Sequence, residues 1–207
     1  MSQIPQLMSG RALEHGIAMA VDHGGTSSAK MYVGGQAHAI TAQAAKEGST
    51  YDTSVHTMLG SYTIPANTLV AGSTIRVRAV TRNSDQNGTD TLQIFVSLGA
   101  NTTTPASNNQ LLSTNDDTVA DGDFCVIDGA IQFRTVGATA TGYAMWTYCQ
   151  PNDQAVKCKI ATTISGTAAV DTTAALVLSI DSQWSANHDH NDVELEMFIV
   201  DIVNPST

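Results

Sequence analysis

The chain has 207 residues, of which 42% are hydrophobic and only 14% charged, and its formal net charge is −10. This length suits one all-β domain with a short additional segment. The nine basic residues are scattered and form no stripe, so nucleic acid and anionic membrane are excluded as expected partners. No apolar run approaches the roughly 20 residues of a membrane-spanning helix. Residues 1–10 lack the features of a signal peptide, which predicts synthesis in a reducing cytoplasm.

The first 55 residues differ in composition from the rest of the chain. They are rich in Ala, Gly, Ser, Gln and His and poor in large apolar side chains. A hairpin is predicted over residues 29–40, because Gly34-Gly35 can supply the positive φ angles of a tight turn. Such a segment buries little surface by itself. We interpret residues 1–55 as an extended arm that orders against a partner, with a partly disordered tail as the alternative.

Strand patterns begin near residue 56. Residues 58–64 form the first predicted strand, which Pro65-Ala66-Asn67 ends. Residues 73–80 alternate strictly between apolar and polar side chains, as a half-buried strand requires. Residues 83–88 predict a turn, and residues 91–98 predict the next strand. The apolar side of that strand is Leu92, Ile94 and Val96, and the other side is Gln93, Phe95 and Ser97.

The second half of the chain continues the strand patterns. Residues 99–122 are mostly polar and predict either short strands or a loop. Residues 123–136 form one bent strand or two, with Gly129 at the bend. The final pattern, residues 193–202, predicts burial on one side at first and on both sides later. Three further strand patterns, at residues 143–149, 154–164 and 172–180, lie between residues 136 and 193.

About eight strands at short spacing, with no convincing long helix between them, exclude parallel βαβ folds. The predicted fold class is all-β: an antiparallel jelly-roll-like β-sandwich with an extended N-terminal arm. The sandwich comprises residues 56–207 and the arm residues 1–55. Periodicity alone leaves an immunoglobulin-like sandwich open.

The sequence contains no catalytic motif that we recognise, so we expect no enzyme activity and no cofactor. The most suggestive cluster is residues 187–192. Alternate residues of an extended chain point the same way, so His188 and His190 can ligate one metal ion, and Asp189 or Asp192 can add an oxygen. A third ligand from a distant strand is needed, and no remote His stands out. A polar loop is therefore the favoured interpretation.

Two further groups invite a binding interpretation. Asn115-Asp116-Asp117 and Asp121-Gly122-Asp123 are oxygen-rich and suit calcium, but solvated turns explain them more simply. The second group is aromatic and comprises Trp146, Trp184, Tyr143 and Tyr148. These residues either form a sugar-binding platform or lie in the core or in an interface.

The three cysteines all lie in strand patterns, at Cys125, Cys149 and Cys158. Their number is odd and their spacing does not match a metal-binding motif. Buried thiols are the expected state, and a late disulfide between Cys149 and Cys158 is the alternative.

Residues 61–79 read SYTIPANTLVAGSTIRVRA. This stretch resembles a pattern of small tailed-phage virion proteins, in which a strand ends in a similar Ile-Pro-Ala-Asn-Thr-Leu run, passes a Gly and enters an alternating strand. Residues 181–186, followed by the final strand, are similar to the same group. The resemblance covers residues 56–203 and not the arm. It implies a jelly-roll module displayed on the capsid or tail, with no catalytic residue.

The function implied by this resemblance is that of a capsid decoration or cement protein, which binds and stabilises the shell through its arm and its sandwich surface. Such a protein is made in the host cytoplasm and lies on the outer surface of the virion. Its expected partners are the major capsid protein and neighbouring copies of itself, in a trimer or dimer. The alternatives are a fibre or spike module that binds host glycans and, third, a cupin-like metalloenzyme. The candidate partner-binding residues are Met31, Tyr32, Val33, Ile40 and Trp184.

Overall fold

The structure is a computed structural model, and it describes residues 56–85, 89–114, 117–149, 156–164, 170–186, 188 and 191–205. In this part of the chain, two antiparallel β-sheets pack against each other around one core. This confirms the predicted all-β, antiparallel jelly-roll-like sandwich. The predicted N-terminal arm, residues 1–55, lies outside the described residues.

The described residues form ten strands and one 3-10 turn at Pro105–Ser107. The strands are β1 (Thr57–Ile64), β2 (Thr74–Asp85), β3 (Thr91–Gly99), β4 (Asn109–Ser113), β5 (Asp117–Thr118), β6 (Phe124–Thr135), β7 (Thr141–Cys149), β8 (Val156–Ile164), β9 (Leu176–Trp184) and β10 (Asp192–Val203).

Sheet A contains the strands in the order β10-β2-β6-β7-β8, and sheet B contains β1-β9-β3-β4 with β5 paired to β3. Among the described strands, the first two therefore pair with the last two, β1 with β9 and β2 with β10. Strands β6, β7 and β8 follow one another as a meander. Because each sheet pairs an early strand with a late one, the fold is stabilised by contacts between residues far apart in sequence.

The core lies between the two sheets and takes one side of each strand. Both tryptophans, Trp146 of β7 and Trp184 of β9, are buried there together with Phe133 and Phe198. Trp184 is only 1% exposed. This corrects its assignment as a partner-binding residue, since a side chain in the core presents no surface to a partner.

The stretch that resembles virion proteins forms the corner between β1 and β2. Asn67 adopts a left-handed conformation with φ 58°, and the amide of Thr68 donates to the carbonyl oxygen of Pro65. Gly72 has φ 89°, and its amide donates to the carbonyl oxygen of Phe133 in sheet A. A positive φ favours glycine, so this corner explains why a Gly precedes the second strand.

The strands differ from their sequence patterns at several places. Strand β2 continues to Asp85, so the turn predicted over residues 83–88 begins too early. The buried Asn83 is held in the strand by two bonds with the chain near residue 122: its amide donates to the Asp123 carbonyl, and its side-chain amide donates to the Ala120 carbonyl. Residues 99–122 contain the 3-10 turn and two short strands, and residues 124–135 form a single strand.

Strand β10 is buried on one side throughout, so the predicted change to two-sided burial is wrong. Its register with β2 shifts between Leu195 and Met197. An extra residue at this β-bulge reverses the parity of the strand. Val193 and Leu195 therefore enter the core before the bulge, and Phe198 and Val200 enter it afterwards.

Candidate functional site

An apolar row crosses the outer face of sheet A, on the side away from the core. Met197, Val80, Val126 and Cys149 lie directly opposite one another on β10, β2, β6 and β7. Val126 of this row is 41% exposed, and Phe124, the neighbouring outward-facing residue of β6, is 49% exposed. Met145 is 57% exposed but lies apart from the row, because its partner on β6 is Ala130 and the Arg78–Asp128 pair lies between. We call Val80, Phe124, Val126 and Met197 the apolar strip.

Strand β6 shows how the sequence produces this strip. Cys125 and Ile127 point into the core, so Phe124 and Val126 must point outward because successive side chains alternate. Exposed single apolar residues are common, but a contiguous group on a flat sheet marks a surface that binds another molecule. The outer face of sheet A is therefore the best candidate for an interaction surface in the described part of the chain.

Arginine side chains accompany the strip. All four arginines whose side chains are described point from this face, and carboxylates lie beside three of them. Arg78 binds Asp128 at 2.5 Å, with both side chains more than half exposed. Arg82 lies between Glu194 and Glu196, and its Nε donates to Glu196 at 2.7 Å. The fourth, Arg134, packs against Tyr143: its guanidinium carbon is 5.2 Å from the Tyr143 ring centroid, and Nη1 donates to the Tyr143 hydroxyl.

Charge on the outer face of sheet A is nearly balanced, although the whole chain has a net charge of −10. Exposed ion pairs such as Arg78–Asp128 contribute at most about 1 kcal/mol to stability. These ion pairs matter more for the association with a partner. A partner that approaches this face meets paired charges, whereas the excess negative charge lies elsewhere.

The four aromatic residues do not form the sugar-binding platform that was one interpretation of the sequence. Trp146 and Trp184 are core residues, and Tyr148 is buried. Tyr143 is exposed at 42% on the outer face of sheet A, with the opposite parity to Trp146 and Tyr148, as the alternation predicts. A glycan platform built on the two tryptophans is therefore not present at the surface.

The metal-site hypothesis placed His188, His190 and Asp192 together. His188 is exposed, and its Nε2 lies 3.7 Å from Oδ2 of Asp90, which also accepts a hydrogen bond from the Asn191 side-chain amide. Asp192 is the first residue of β10, and His190 lies outside the described residues. No group of three or more His, Cys, Asp or Glu side chains within the described ranges is arranged to hold a metal ion.

The acidic turn at residues 121–123, for which a calcium site was one interpretation, is stabilised by hydrogen bonds within the turn. Oδ2 of Asp123 accepts from the Ala120 amide at 2.7 Å, and Gly122 has φ 84°. Residues 115 and 116 of the other half of this motif lie outside the described residues.

Two of the three cysteines have described side chains. Cys125 is buried in the core and Cys149 is half-buried, and both are free thiols. Burial raises the pKa of Cys125 to about 12, with a smaller contribution from Cys149, so the Cys125 thiol stays protonated and unreactive. The register places Cys158 opposite Thr147 and Cys149 opposite Val156, so Cys149 and Cys158 are not directly paired.

The remaining predicted partner-binding residues, Met31, Tyr32, Val33 and Ile40, lie outside the described residues. The outer face of sheet A was missed by the sequence reasoning. Residues 124–127 could have indicated this face, because all four are apolar. Successive side chains of a strand point to opposite sides, so two of the four must lie outside the core. Among the described residues, no helix is long and apolar enough to cross a membrane.

Comparison with known proteins gives little further information. No protein-family model matches the sequence, and no curated protein is significantly similar to it. The structure is similar to a chain in the solved structure of infectious bursal disease virus, Gx strain, with a TM-score of 0.29 and 12% sequence identity. The match covers 83% of this chain and 41% of the viral chain, so this chain spans less than half of its length.

Proposed function

We propose that the protein is a structural component of a phage virion, a capsid decoration or cement protein. In this proposal it binds the major capsid protein and neighbouring copies of itself, and it stabilises the shell from the outer surface. The observation that carries the proposal is the apolar strip on the outer face of sheet A, since a rigid sandwich with an exposed apolar strip is suited to adhesion. The resemblance of residues 61–79 to virion proteins supports the same role, and the corner that these residues form accounts for their Pro, Asn and Gly.

The strip has the composition of an interface centre. Phe124 and Val126 supply exposed apolar contact area, and the paired charges of Arg78 and Arg82 lie beside them as a polar rim. The arm, residues 1–55, supplies a second contact in this proposal. Two attachment points on one chain raise the occupancy of the capsid site through effective concentration.

A charge placed within the strip tests this role. We expect Val126→Glu in the full-length chain to weaken binding to particles that lack this protein by roughly 30-fold, because a buried interface anchor contributes about 2 kcal/mol or more. Co-sedimentation with the particles measures the loss. Gln132→Glu is the matched control, because it adds the same charge at an exposed position of the same face; its binding should change less than twofold. Unchanged binding of the Val126 variant would remove the strip from the interface.

A further inference from the structure

The outer face of sheet A is the part of the described surface on which two copies of this chain repel each other least. Identical copies with a net charge of −10 repel one another in most orientations. On this face four arginines are interspersed with the carboxylates of Asp128, Glu194, Glu196 and Asp201, so its charge is nearly balanced. A contact between two copies is therefore favoured on this face over the acidic remainder of the surface.

Strands β2 and β6 lie side by side on this face, and their outward side chains are complementary row by row. No row sets two charges of the same sign against each other. The three rows at one end of the two strands are Arg78–Asp128, Val80–Val126 and Arg82–Phe124. The next row sets the long side chain of Arg76 against the small one of Ala130.

A twofold axis that runs along the strands between β2 and β6 converts these neighbours into contacts between copies. Rotation by 180° about this axis places β2 of each copy on β6 of the other, at the same row of the sheet. Each side chain then faces the residue type that is its cross-strand neighbour in its own chain. Aligned sheets cross at about −30°, so the central rows face each other most directly. An axis along β2 itself would oppose Arg78 to Arg78, and such like-charge contacts are unfavourable.

The Arg78–Asp128 row supplies the polar contact of this arrangement. Nε and Nη2 of Arg78 donate at 2.9 Å and 2.5 Å to the same oxygen, Oδ2 of Asp128. Both side chains are more than half exposed, so Nη1 of Arg78 can donate to Oδ1 of Asp128 in the second copy. The twofold axis makes this contact twice and closes a ring of four alternating charges, in which every hydrogen bond is charge-assisted.

The next two rows supply apolar and aromatic contacts. Val80 and Val126 of the two copies meet beside the charge ring as a cluster of four valines. One row further, Arg82 faces Phe124 of the second copy, and a guanidinium group on an aromatic ring is a favourable contact. Glu194 and Glu196 bind Arg82 within its own chain, so this arginine is already oriented before the second copy arrives.

We propose that two copies of this chain associate through the outer face of sheet A, about a twofold axis between β2 and β6. Four strands of each copy, β10, β2, β6 and β7, overlap over about 19 Å by 30 Å, which buries roughly 1,200 Å² in total. This area is the lower limit of specific interfaces, so the dimer is reversible, with a Kd on the order of 10 μM. The inference rests on the proposed function, because it names the neighbouring copy as the partner of β2 and β6.

Sedimentation velocity of the free full-length protein tests the inference. We expect a monomer–dimer equilibrium for the wild type. Arg78→Asp and Asp128→Arg each oppose like charges twice across the axis, so each variant alone should dimerise at least about 10-fold more weakly. An equimolar mixture of the two variants should dimerise again, because an acidic face then meets a basic one. Thr63→Asp is the control: it adds a negative charge at an exposed position of sheet B and should leave dimerisation unchanged.

Three results would overturn the inference. The first is a wild type that stays monomeric at about 100 μM, ten times the expected Kd. The second is a pair of variants that dimerise like the wild type, or whose mixture stays monomeric. The third is a trimer, since a face-to-face contact on a twofold axis closes at two copies.

Two further observations make these results decisive. An exposed ion pair contributes little to stability, so both variants should unfold at nearly the temperature of the wild type. The measurement needs no particle, so its failure is distinguishable from failure of the proposed function. If the wild type is monomeric while Val126→Glu still loses particle binding, only this inference is lost.

Discussion

Replacing Gly129 with alanine should destabilise the protein by about 3 kcal/mol, the upper part of the range for an overpacked core. Gly129 lies in the middle of β6, points into the core and is opposite Trp146 in the register. A Cβ at this position would overlap the Trp146 ring and lie 2.5 Å from the Met145 carbonyl oxygen. Trp146 is fully buried, so its ring cannot swing away without displacing other core side chains. At 2–4 °C per kcal/mol, the melting temperature should fall by roughly 6–12 °C.

A double-mutant cycle identifies the cause of this loss. Trp146→Phe removes the six-membered ring that Gly129 approaches, so Gly129→Ala should cost less in this background than in the wild type. Ala130→Ser changes the next residue, on the outer face, and serves as the control with a small expected effect. Additive losses in the cycle would show that the steric contact with Trp146 is not the reason for glycine at this position.

Replacing Asp181 with asparagine should stabilise the protein above about pH 6. Burial raises the pKa of Asp181 to about 6 from its ordinary 3.8, against a smaller lowering by hydrogen bonding with Ser97 and Ser179. The charged form is therefore disfavoured by folding. At about 1.4 kcal/mol for each tenfold change in the ionisation constant, the cost of ionisation is on the order of 3 kcal/mol. The variant should gain up to this amount at about pH 8, measured by denaturant unfolding.

The sign of the pH dependence follows from the raised pKa. The stability that protonated Asp181 allows is fully present below about pH 3.8 and is lost as the pH rises through about 6. Near pH 4, the variant and the wild type should therefore unfold alike. His56 acts in the opposite direction, because desolvation lowers its pKa and its contribution is lost as the pH falls below 6.5. Both proteins retain His56, so their difference isolates Asp181.

Asp171→Asn is the matched control for this measurement. Hydrogen bonds from Thr173 lower the pKa of Asp171, so this carboxylate favours the folded state when ionised, and its replacement should not stabilise the protein at about pH 8. A stability gain in the Asp171 variant equal to that of Asp181→Asn would assign the effect to net charge. Equal unfolding of wild type and Asp181→Asn at pH 8 would show that the Asp181 charge is already well compensated.

The strand order of the sandwich was not predictable from the sequence, although the strands themselves were. The alternation of apolar and polar residues over residues 73–80 predicts β2 correctly, because one face of that strand is buried and the other faces solvent. The same rule fails for residues 193–202. Apolar residues of both parities there reflect a bulge at Glu196, and a bulge leaves no mark in a hydrophobicity pattern beyond the change of parity.

The outer face of sheet A was not predicted from the sequence for a related reason. Phe124 and Val126 resemble core residues as closely as Cys125 and Ile127 do, and only the pairing with β2 and β7 decides which parity is inward. Phe95 and Ser97 show the converse, since the alternation of β3 places them outside the core and the structure nevertheless buries them. Both cases depend on layers contributed by distant segments, which no local pattern contains.

The pairing of β1 with β9 and of β2 with β10 has a consequence for biosynthesis. Loop-closure entropy makes contacts between distant residues slow to form. Strands β1 and β2 are translated before their partners β9 and β10, so sheet B and the edge of sheet A stay incomplete until those late strands have been made. A polypeptide truncated before β9 lacks the strand on which sheet B is assembled. Such truncated chains are thereby prevented from reaching the native state, so the strand order acts as a length check on the sandwich.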